Sequence, residues 1–133
     1  MTILKYCSIF LTALIVGCAS EPYVPTPKVA EAAATPVICE GKDACEVMWS
    51  KAQIWVSENA GYKIQIATDS IIETYTARDY SQGYAVRMTK MPIGGGKYEL
   101  SLNINCGYPA LCSERPIIFQ ARFRRAMLGI PLS

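Results

Sequence analysis

The stretch Tyr98-Glu99-Leu100-Ser101-Leu102-Asn103-Ile104-Asn105 alternates apolar and polar residues without interruption. Successive side chains of a β-strand point to opposite faces of the sheet, so this pattern predicts a strand with one buried and one solvated face. A sheet that is apolar on one face must bury that face against another layer. The stretch therefore predicts a sheet covered on one side, and the rest of the fold follows from what covers it.

Three shorter strands are predicted before this one, over residues 62–66, 71–76 and 84–89, and the first and third show the same alternation. The segment Thr68-Asp69-Ser70 is a turn between the first two, and Pro92-Ile93-Gly94-Gly95-Gly96 is a turn before the last. Connections this short join antiparallel neighbours. The sequence therefore predicts a four-stranded antiparallel meander with one solvated face.

A helix is predicted over residues 43–59, directly before the first strand. Asp43 and Glu46 match a capping pair at its start, and Gly61 lies where a helix would stop. Its apolar residues recur at helical spacing and predict a stripe that faces the sheet, with Trp49 at the margin of that stripe. The stripe consists of Ala44, Val47, Met48, Ala52, Trp55 and Val56.

A second helix is predicted after Pro116, a residue that fits a first helical turn, and it ends at Gly129 and Pro131. A short strand over Ile117-Ile118-Phe119 is the alternative. The fold class is then α+β, with two layers in which the four-stranded meander packs against an N-terminal and a C-terminal helix. This element order resembles the helix-grip style of domain found in envelope lipoproteins such as the C-component of the outer-membrane β-barrel assembly machine. The apolar residues of the second helix are Phe119, Phe123, Ala126, Met127 and Ile130.

The N-terminal region has the layout of a secretory signal. Lys5 is followed by an apolar run from residue 6 to residue 16, which is too short to cross a membrane because spanning takes about 20 apolar residues. Ile15-Val16-Gly17-Cys18 resembles the lipobox of bacterial lipoproteins. That resemblance implies cleavage after residue 17 and a diacylglyceryl thioether with N-acylation on Cys18. An ordinary signal cleaved near Ala19 is the alternative.

The resemblance also implies a location. Ala19 and Ser20 follow Cys18 where an inner-membrane retention signal often carries Asp, which favours the periplasmic face of the outer membrane, with the inner membrane as the alternative. Residues 18–36 contain four prolines and few large apolar groups, so they are predicted to form an extended tether. Fully extended, such a tether would hold the domain up to roughly 50 Å from the lipid. The folded domain is then predicted over residues 37–133.

Four of the six cysteines remain once Cys7 leaves with the signal and Cys18 is lipidated. An even number in an exported chain predicts two disulfides. Five residues separate the members of each neighbouring pair, which favours two local bridges over a crossed pairing. Zinc binding is the functional alternative, but the spacing is not CxxC and the chain contains no histidine, so no metal site is predicted. The four residues are Cys39, Cys45, Cys106 and Cys112.

Composition argues against several classes of function. Without histidine, Ser-His-Asp and Cys-His catalytic sites are excluded, and no enzymatic activity or cofactor is predicted. Gly94-Gly95-Gly96-Lys97 is not a P-loop, because Met91 and Tyr98 occupy positions that the motif requires to be glycine and serine or threonine. Lys5 leaves with the signal, so 12 basic and 11 acidic groups remain, which does not suggest a nucleic-acid partner.

Two groups of residues remain as candidate contact surfaces. Four arginines follow residue 114 with no acidic residue among them, and they predict a surface for anionic lipid headgroups or an acidic envelope protein. Favourable interaction with the helix dipole is the simpler explanation of the same charges. Four tyrosines around the meander predict an aromatic groove, although core packing also explains such residues. The arginines are Arg115, Arg122, Arg124 and Arg125, and the tyrosines are Tyr75, Tyr80, Tyr84 and Tyr98.

The function predicted from these features is that of a non-enzymatic envelope lipoprotein. It is anchored to the membrane through Cys18 and acts by binding a protein or another component of the cell envelope. The alternative is a carrier or sensor that holds a small hydrophobic ligand between the sheet and the helices, which would require a sizeable apolar cavity there.

Overall fold

The predicted α+β architecture is present in a computed structural model, which describes residues 21–131. The predicted signal sequence, the lipobox-like segment and Cys18 lie outside the described residues. Two helices and one strand come first in the order helix, strand, helix, then four consecutive strands, and a 3-10 turn at Pro109–Leu111 precedes the last helix. The helices are α1 (Pro27–Ala34), α2 (Lys42–Asn59) and α3 (Pro116–Leu128), and the strands are β1 (Val37–Glu40), β2 (Ile64–Ala67), β3 (Ile71–Thr74), β4 (Tyr84–Gly94) and β5 (Lys97–Cys106).

The sheet is antiparallel throughout and has the strand order β1-β5-β4-β3-β2. Strands β2 to β5 form the predicted meander. The prediction of four strands is corrected to five, because β1 pairs with β5, with Val37 opposite Leu100. Four residues are too few to show the apolar–polar alternation of a strand. This segment forms a strand because it pairs with the edge of β5 that the meander leaves unpaired.

One face of the sheet carries the core and the other faces solvent. On the core face, Met88 lies between Ile72 of β3 and Leu102 of β5, and all three pack in one hydrophobic cluster with α2 and α3. On the open face, Arg87 pairs across the strands with Glu73 in an ion pair. The predicted single solvated face is therefore confirmed.

Helix α2 is present and faces the core with Met48, Ala52, Trp55 and Val56 of the predicted stripe, but Ala44 and Val47 of that stripe are exposed. Val47 is 70% exposed, whereas Trp49 is buried and donates a hydrogen bond from Nε1 to the Thr68 carbonyl at 2.9 Å. The disulfide joins Cys39, on the core face of β1, to Cys45, which is buried on the same side of the helix as Trp49. The predicted capping pair is also absent, since Gly41 occupies the N-cap at φ 84° without a side-chain cap.

The segment predicted as an extended tether contains α1. Thr26 caps this helix by accepting a hydrogen bond from the Val29 amide, Pro27 takes the first position, and alanines follow. Helix α1 packs along α3 and buries Ala32. The folded unit therefore begins well before Val37, because alanine-rich sequence becomes a stable helix when another helix covers its apolar side.

Helix α3 confirms the predicted helix and excludes the alternative strand over residues 117–119. It ends at Gly129, whose left-handed backbone at φ 69° lets its amide bond the Arg125 carbonyl. Phe119 and Phe123 project from it into the core, where both rings meet the Trp55 ring edge-on at centroid distances of 5.1 and 5.3 Å. This aromatic group fastens α3 to α2.

The disulfides are the two local bridges, Cys39–Cys45 and Cys106–Cys112, and the crossed pairing is excluded. The first joins β1 to the start of α2. The second clips the loop between β5 and α3, with 6.1 Å between its Cα atoms. Each bridge closes a loop of only a few residues, so each mainly restricts a local segment of the unfolded chain.

Replacing Cys106 and Cys112 together with serine is expected to lower the free energy of unfolding by about 2 kcal/mol, as loop-closure entropy predicts for so short a loop. Denaturation in urea, read from tryptophan fluorescence, measures the change.

The matched variant replaces Cys39 and Cys45, which are buried and would leave two serine hydroxyls in the core. A larger loss is expected for that pair. Equal losses of unfolding free energy for the two double variants would contradict the prediction that the Cys39–Cys45 disulfide, buried in the core, contributes more to stability than Cys106–Cys112.

Candidate functional site

The loops of the domain are divided between the two ends of the sheet. At one end lie the α2–β2 connection (residues 60–63), the β3–β4 loop (75–83) and the β5–α3 loop (107–115). The register places them together, because Tyr84 at the start of β4 is opposite Cys106 at the end of β5, and Ile64 is opposite Thr74. We call this the tyrosine end. The glycine turn at residues 94–96 and the β2–β3 turn lie at the opposite end.

Six of the seven tyrosines among residues 21–131 lie at the tyrosine end. Tyr84 is buried there, while Tyr80 is 78% exposed and is the most exposed tyrosine of the described chain. Tyr98 lies at the other end of the β4–β5 hairpin, opposite Pro92. The six residues are Tyr23, Tyr62, Tyr75, Tyr80, Tyr84 and Tyr108.

Close backbone contacts between glycines hold the loops of the tyrosine end together. A Cβ atom on Gly61 would lie 2.3 Å from the Gly83 Cα, and the Gly61 amide donates to the Tyr84 carbonyl at 3.0 Å. A Cβ on Gly107 would lie 2.0 Å from the carbonyl oxygen of Arg78. These distances are far below van der Waals contact, so only glycine allows the three loops to pack in this way.

The exposed part of the site is built around Tyr80 and Tyr108. Their rings lie 5.9 Å apart between centroids with planes inclined by 30°. Tyr80 has a left-handed backbone at φ 63°, which is uncommon for a residue other than glycine and projects its ring outward from the loop. The Tyr62 hydroxyl accepts a hydrogen bond from the Arg78 amide at 2.9 Å, and this bond joins the α2–β2 connection to the loop that carries Tyr80.

The buried base of the site is the Tyr84 hydroxyl, which donates to the carbonyl of Glu114 at 2.6 Å. Burial raises the pKa of this phenol above its ordinary value, and the negative charge of Glu114 adds to the effect. Tyr84 is therefore a neutral hydrogen-bond donor that ties β4 to the start of α3. Its ring also contacts Phe119 at a centroid distance of 4.8 Å.

The four C-terminal arginines are not arranged as one free patch. Arg122 forms an ion pair with Glu114 and donates to the Asn59 side chain at 2.6 Å. Arg124 donates from Nε to the Thr35 carbonyl at 2.9 Å. Burial lowers the pKa of the Arg124 guanidinium, and Glu99 partly offsets this effect.

The remaining two arginines hold the segment that contains α1. Arg125 donates to the Lys28 carbonyl at 3.3 Å. The Arg115 guanidinium carbon lies 4.4 Å from the centre of the Tyr23 ring, an arrangement that favours a cation–π interaction. Arg115 is exposed and belongs to the tyrosine end, so Tyr23 brings the start of the described chain to that end. The four arginines thus mainly fasten parts of this chain to one another.

The four tyrosines predicted to line a groove are not brought together in the structure. Tyr75 and Tyr80 lie at the tyrosine end, and Tyr84 lies there but inside the core, whereas Tyr98 lies at the far end of the sheet. Tyr23, Tyr62 and Tyr108 were not predicted. The position of Tyr108, two residues after Cys106 and inside the loop that the disulfide closes, is the sequence feature that could have identified it.

A second surface lies on the outer side of α2, away from the sheet. Val47 and Ile54 are separated by two helical turns and line a shallow hollow of about 440 Å³ with Ser50 and Lys51. Side chains of the hydrophobic cluster, among them Trp49, Phe119 and Phe123, pack between the sheet and the helices.

Within residues 21–131, no helix is both long and apolar enough to cross a membrane, and no group of three histidine, cysteine or acidic residues could hold a metal ion. Comparison of the chain with protein-family models, curated proteins and solved structures finds no match. The fold and the site define a two-layer α+β domain with two local disulfides and an aromatic loop end.

Proposed function

We propose that this chain is a non-enzymatic envelope lipoprotein, anchored through Cys18 on the periplasmic face of the outer membrane, that acts by binding a component of the envelope. The proposal joins the lipobox-like Ile15-Val16-Gly17-Cys18 to a domain with two disulfides, which suit an oxidising compartment. The observation that carries it is the group of exposed tyrosines at one end of the domain. Tyr23 belongs to this end and is the fifth residue after Cys18, so the proposed anchor is close to the same end in sequence.

Exposed tyrosines suit a contact surface because each ring offers apolar area at low entropic cost, and each hydroxyl keeps a hydrogen-bonding group. The paired rings of Tyr80 and Tyr108 are held by glycine contacts and a disulfide rather than by burial. Such a surface is organised before it binds, which reduces the entropy lost on association. The filled core favours this surface function over the carriage of a ligand between the layers.

Lipidation is tested by growing cells that express the protein with radiolabelled palmitate. We expect label on the natural chain and none on the Cys18→Ser variant, which would also keep its signal sequence and migrate as the longer precursor. Cys7→Ser is the matched control, since Cys7 leaves with the signal, and it should label like the natural chain. Separating inner from outer membranes on a density gradient then locates the labelled protein.

Label that survives Cys18→Ser would contradict the anchor. A natural chain that is processed and carries no label would point instead to an ordinary secreted protein cleaved near Ala19, and the lipoprotein function would be lost with it.

A further inference from the structure

We propose that the envelope component bound by the tyrosine end is the phospholipid headgroup interface of the membrane that holds the Cys18 lipid. This inference rests on the proposed lipidation of Cys18 and adds an orientation to it. The domain would lie against the bilayer with Tyr80 and Tyr108 at the lipid surface and the glycine turn pointing away.

The first argument is the short length of chain between the lipid and the domain. Tyr23 is fixed to the tyrosine end by its ring contact with Arg115, and α1, which follows it, is packed along α3. Tyr23 is the fifth residue after Cys18, and an extended chain covers at most about 3.6 Å per residue. Whatever its conformation, this segment can reach no more than about 18 Å.

The second argument is the size of the domain compared with that reach. Strand β5 contains 10 residues, so the sheet extends about 30 Å from the tyrosine end to the glycine turn. A domain turned with its glycine turn toward the membrane would need its attachment point about 30 Å from the surface, beyond the reach of the connecting residues. The tyrosine end is therefore the end that lies nearest the lipid.

The third argument is the chemistry of the surface that this geometry brings to the membrane. Phenol rings favour the headgroup region, because the ring enters the apolar boundary while the hydroxyl stays hydrated. Leu111 is exposed beside them, and Arg78 and Arg115 supply positive charge at the same end. Glu114 is neutralised by its ion pair with Arg122, so within the three loops of this end Asp79 is the acidic residue that opposes Lys63, Arg78 and Arg115.

The contact is tested by hydroxyl-radical footprinting of the full lipidated chain in vesicles of phosphatidylethanolamine and phosphatidylglycerol, with oxidation located by mass spectrometry. The reference is the chain with Cys18→Ser, exported behind an ordinary secretory signal and therefore free in solution. Met91, which is 56% exposed and lies near the glycine turn, is the internal control. We expect oxidation of Tyr80 and Tyr108 to fall by about threefold or more in vesicles, as burial of aromatic rings at the interface requires. Met91 should keep its reactivity.

The outcomes separate this inference from the function on which it rests. If the peptide that contains Cys18 carries lipid and Tyr80 is oxidised as fast as in solution, the orientation is wrong while the anchor remains, and the tyrosine end is free for a protein partner. Protection of Met91 in place of Tyr80 would also overturn it. If Cys18 carries no lipid in cells, both the anchor and the orientation are lost.

Discussion

Replacing Phe119 with alanine is expected to lower the free energy of unfolding by about 3–5 kcal/mol, the range for removing a buried phenylalanine. Phe119 is only 1% exposed and contacts both Trp55 of α2 and Tyr84 of β4. The substitution leaves a space that neighbouring side chains do not fill, because α3 is also held in place by its contacts with α1 and α2. Guanidinium denaturation followed by tryptophan fluorescence gives the change directly.

The control for Phe119→Ala is Ile54→Ala, in the same layer of helices but on the outer side of α2, where Ile54 is 58% exposed. A change within about 0.5 kcal/mol is expected there. Phe119→Leu should fall between the two variants because it keeps part of the buried volume. A loss below about 1 kcal/mol for Phe119→Ala would mean that α3 is not packed against α2 and the sheet as described.

The aromatic group also supports the candidate site. Tyr84 contacts Phe119 on the inside and bonds the Glu114 carbonyl at the base of the tyrosine end. Loss of the Phe119 ring would therefore loosen the connection between β4 and the start of α3. We expect the loops of this end to lose structure before the glycine turn at the other end does.

Replacing Gly107 with alanine is expected to cost about 3 kcal/mol, because the new methyl group would meet backbone that cannot rotate away. Its Cβ would lie 2.0 Å from the Arg78 carbonyl oxygen and 2.7 Å from the carbonyl carbon. The β3–β4 loop would have to separate from the β5–α3 loop, which would move Tyr80 away from Tyr108. Denaturation measures the loss of stability, and footprinting of the two tyrosines measures the change in the loop.

Gly95 serves as the control for the backbone effect of adding a methyl group. It has φ 60° with open space around its Cβ position, so Gly95→Ala should cost about 1 kcal/mol from backbone strain alone. Gly95→Asn should cost less, since asparagine tolerates this conformation. If Gly107→Ala costs no more than Gly95→Ala, the close contact between the two loops is wrong.

The features predicted correctly from the sequence were those set by neighbours along the chain. The alternation around Leu100 and the turn at Thr68 are local, since the Thr68 hydroxyl accepts from the amides of Ser70 and Ile71. The two helices beside the meander were also predicted, because helical spacing extends over several turns. At the candidate site, Tyr75 and Tyr80 were among the residues named, but nothing in their spacing indicated which end of the sheet they share.

What the sequence by itself determined is the helices α2 and α3, the four strands of the meander, the solvated face of the sheet and the short spacing that favours two local disulfides. Only the tertiary structure decided how those elements meet. Strand β1 pairs with the edge of β5, and the bridge from Cys39 meets α2 at Cys45, on the same buried side of the helix as Trp49. Tyr23 and Tyr108 are 85 residues apart along the chain and share one end of the domain only through the contacts of α1 with α3 and the register of β4 with β5. The spacing of apolar residues and the capping residues of helices report on residues that are close in sequence. Contacts between distant residues depend instead on which surfaces remain to be buried once the helices and strands have formed.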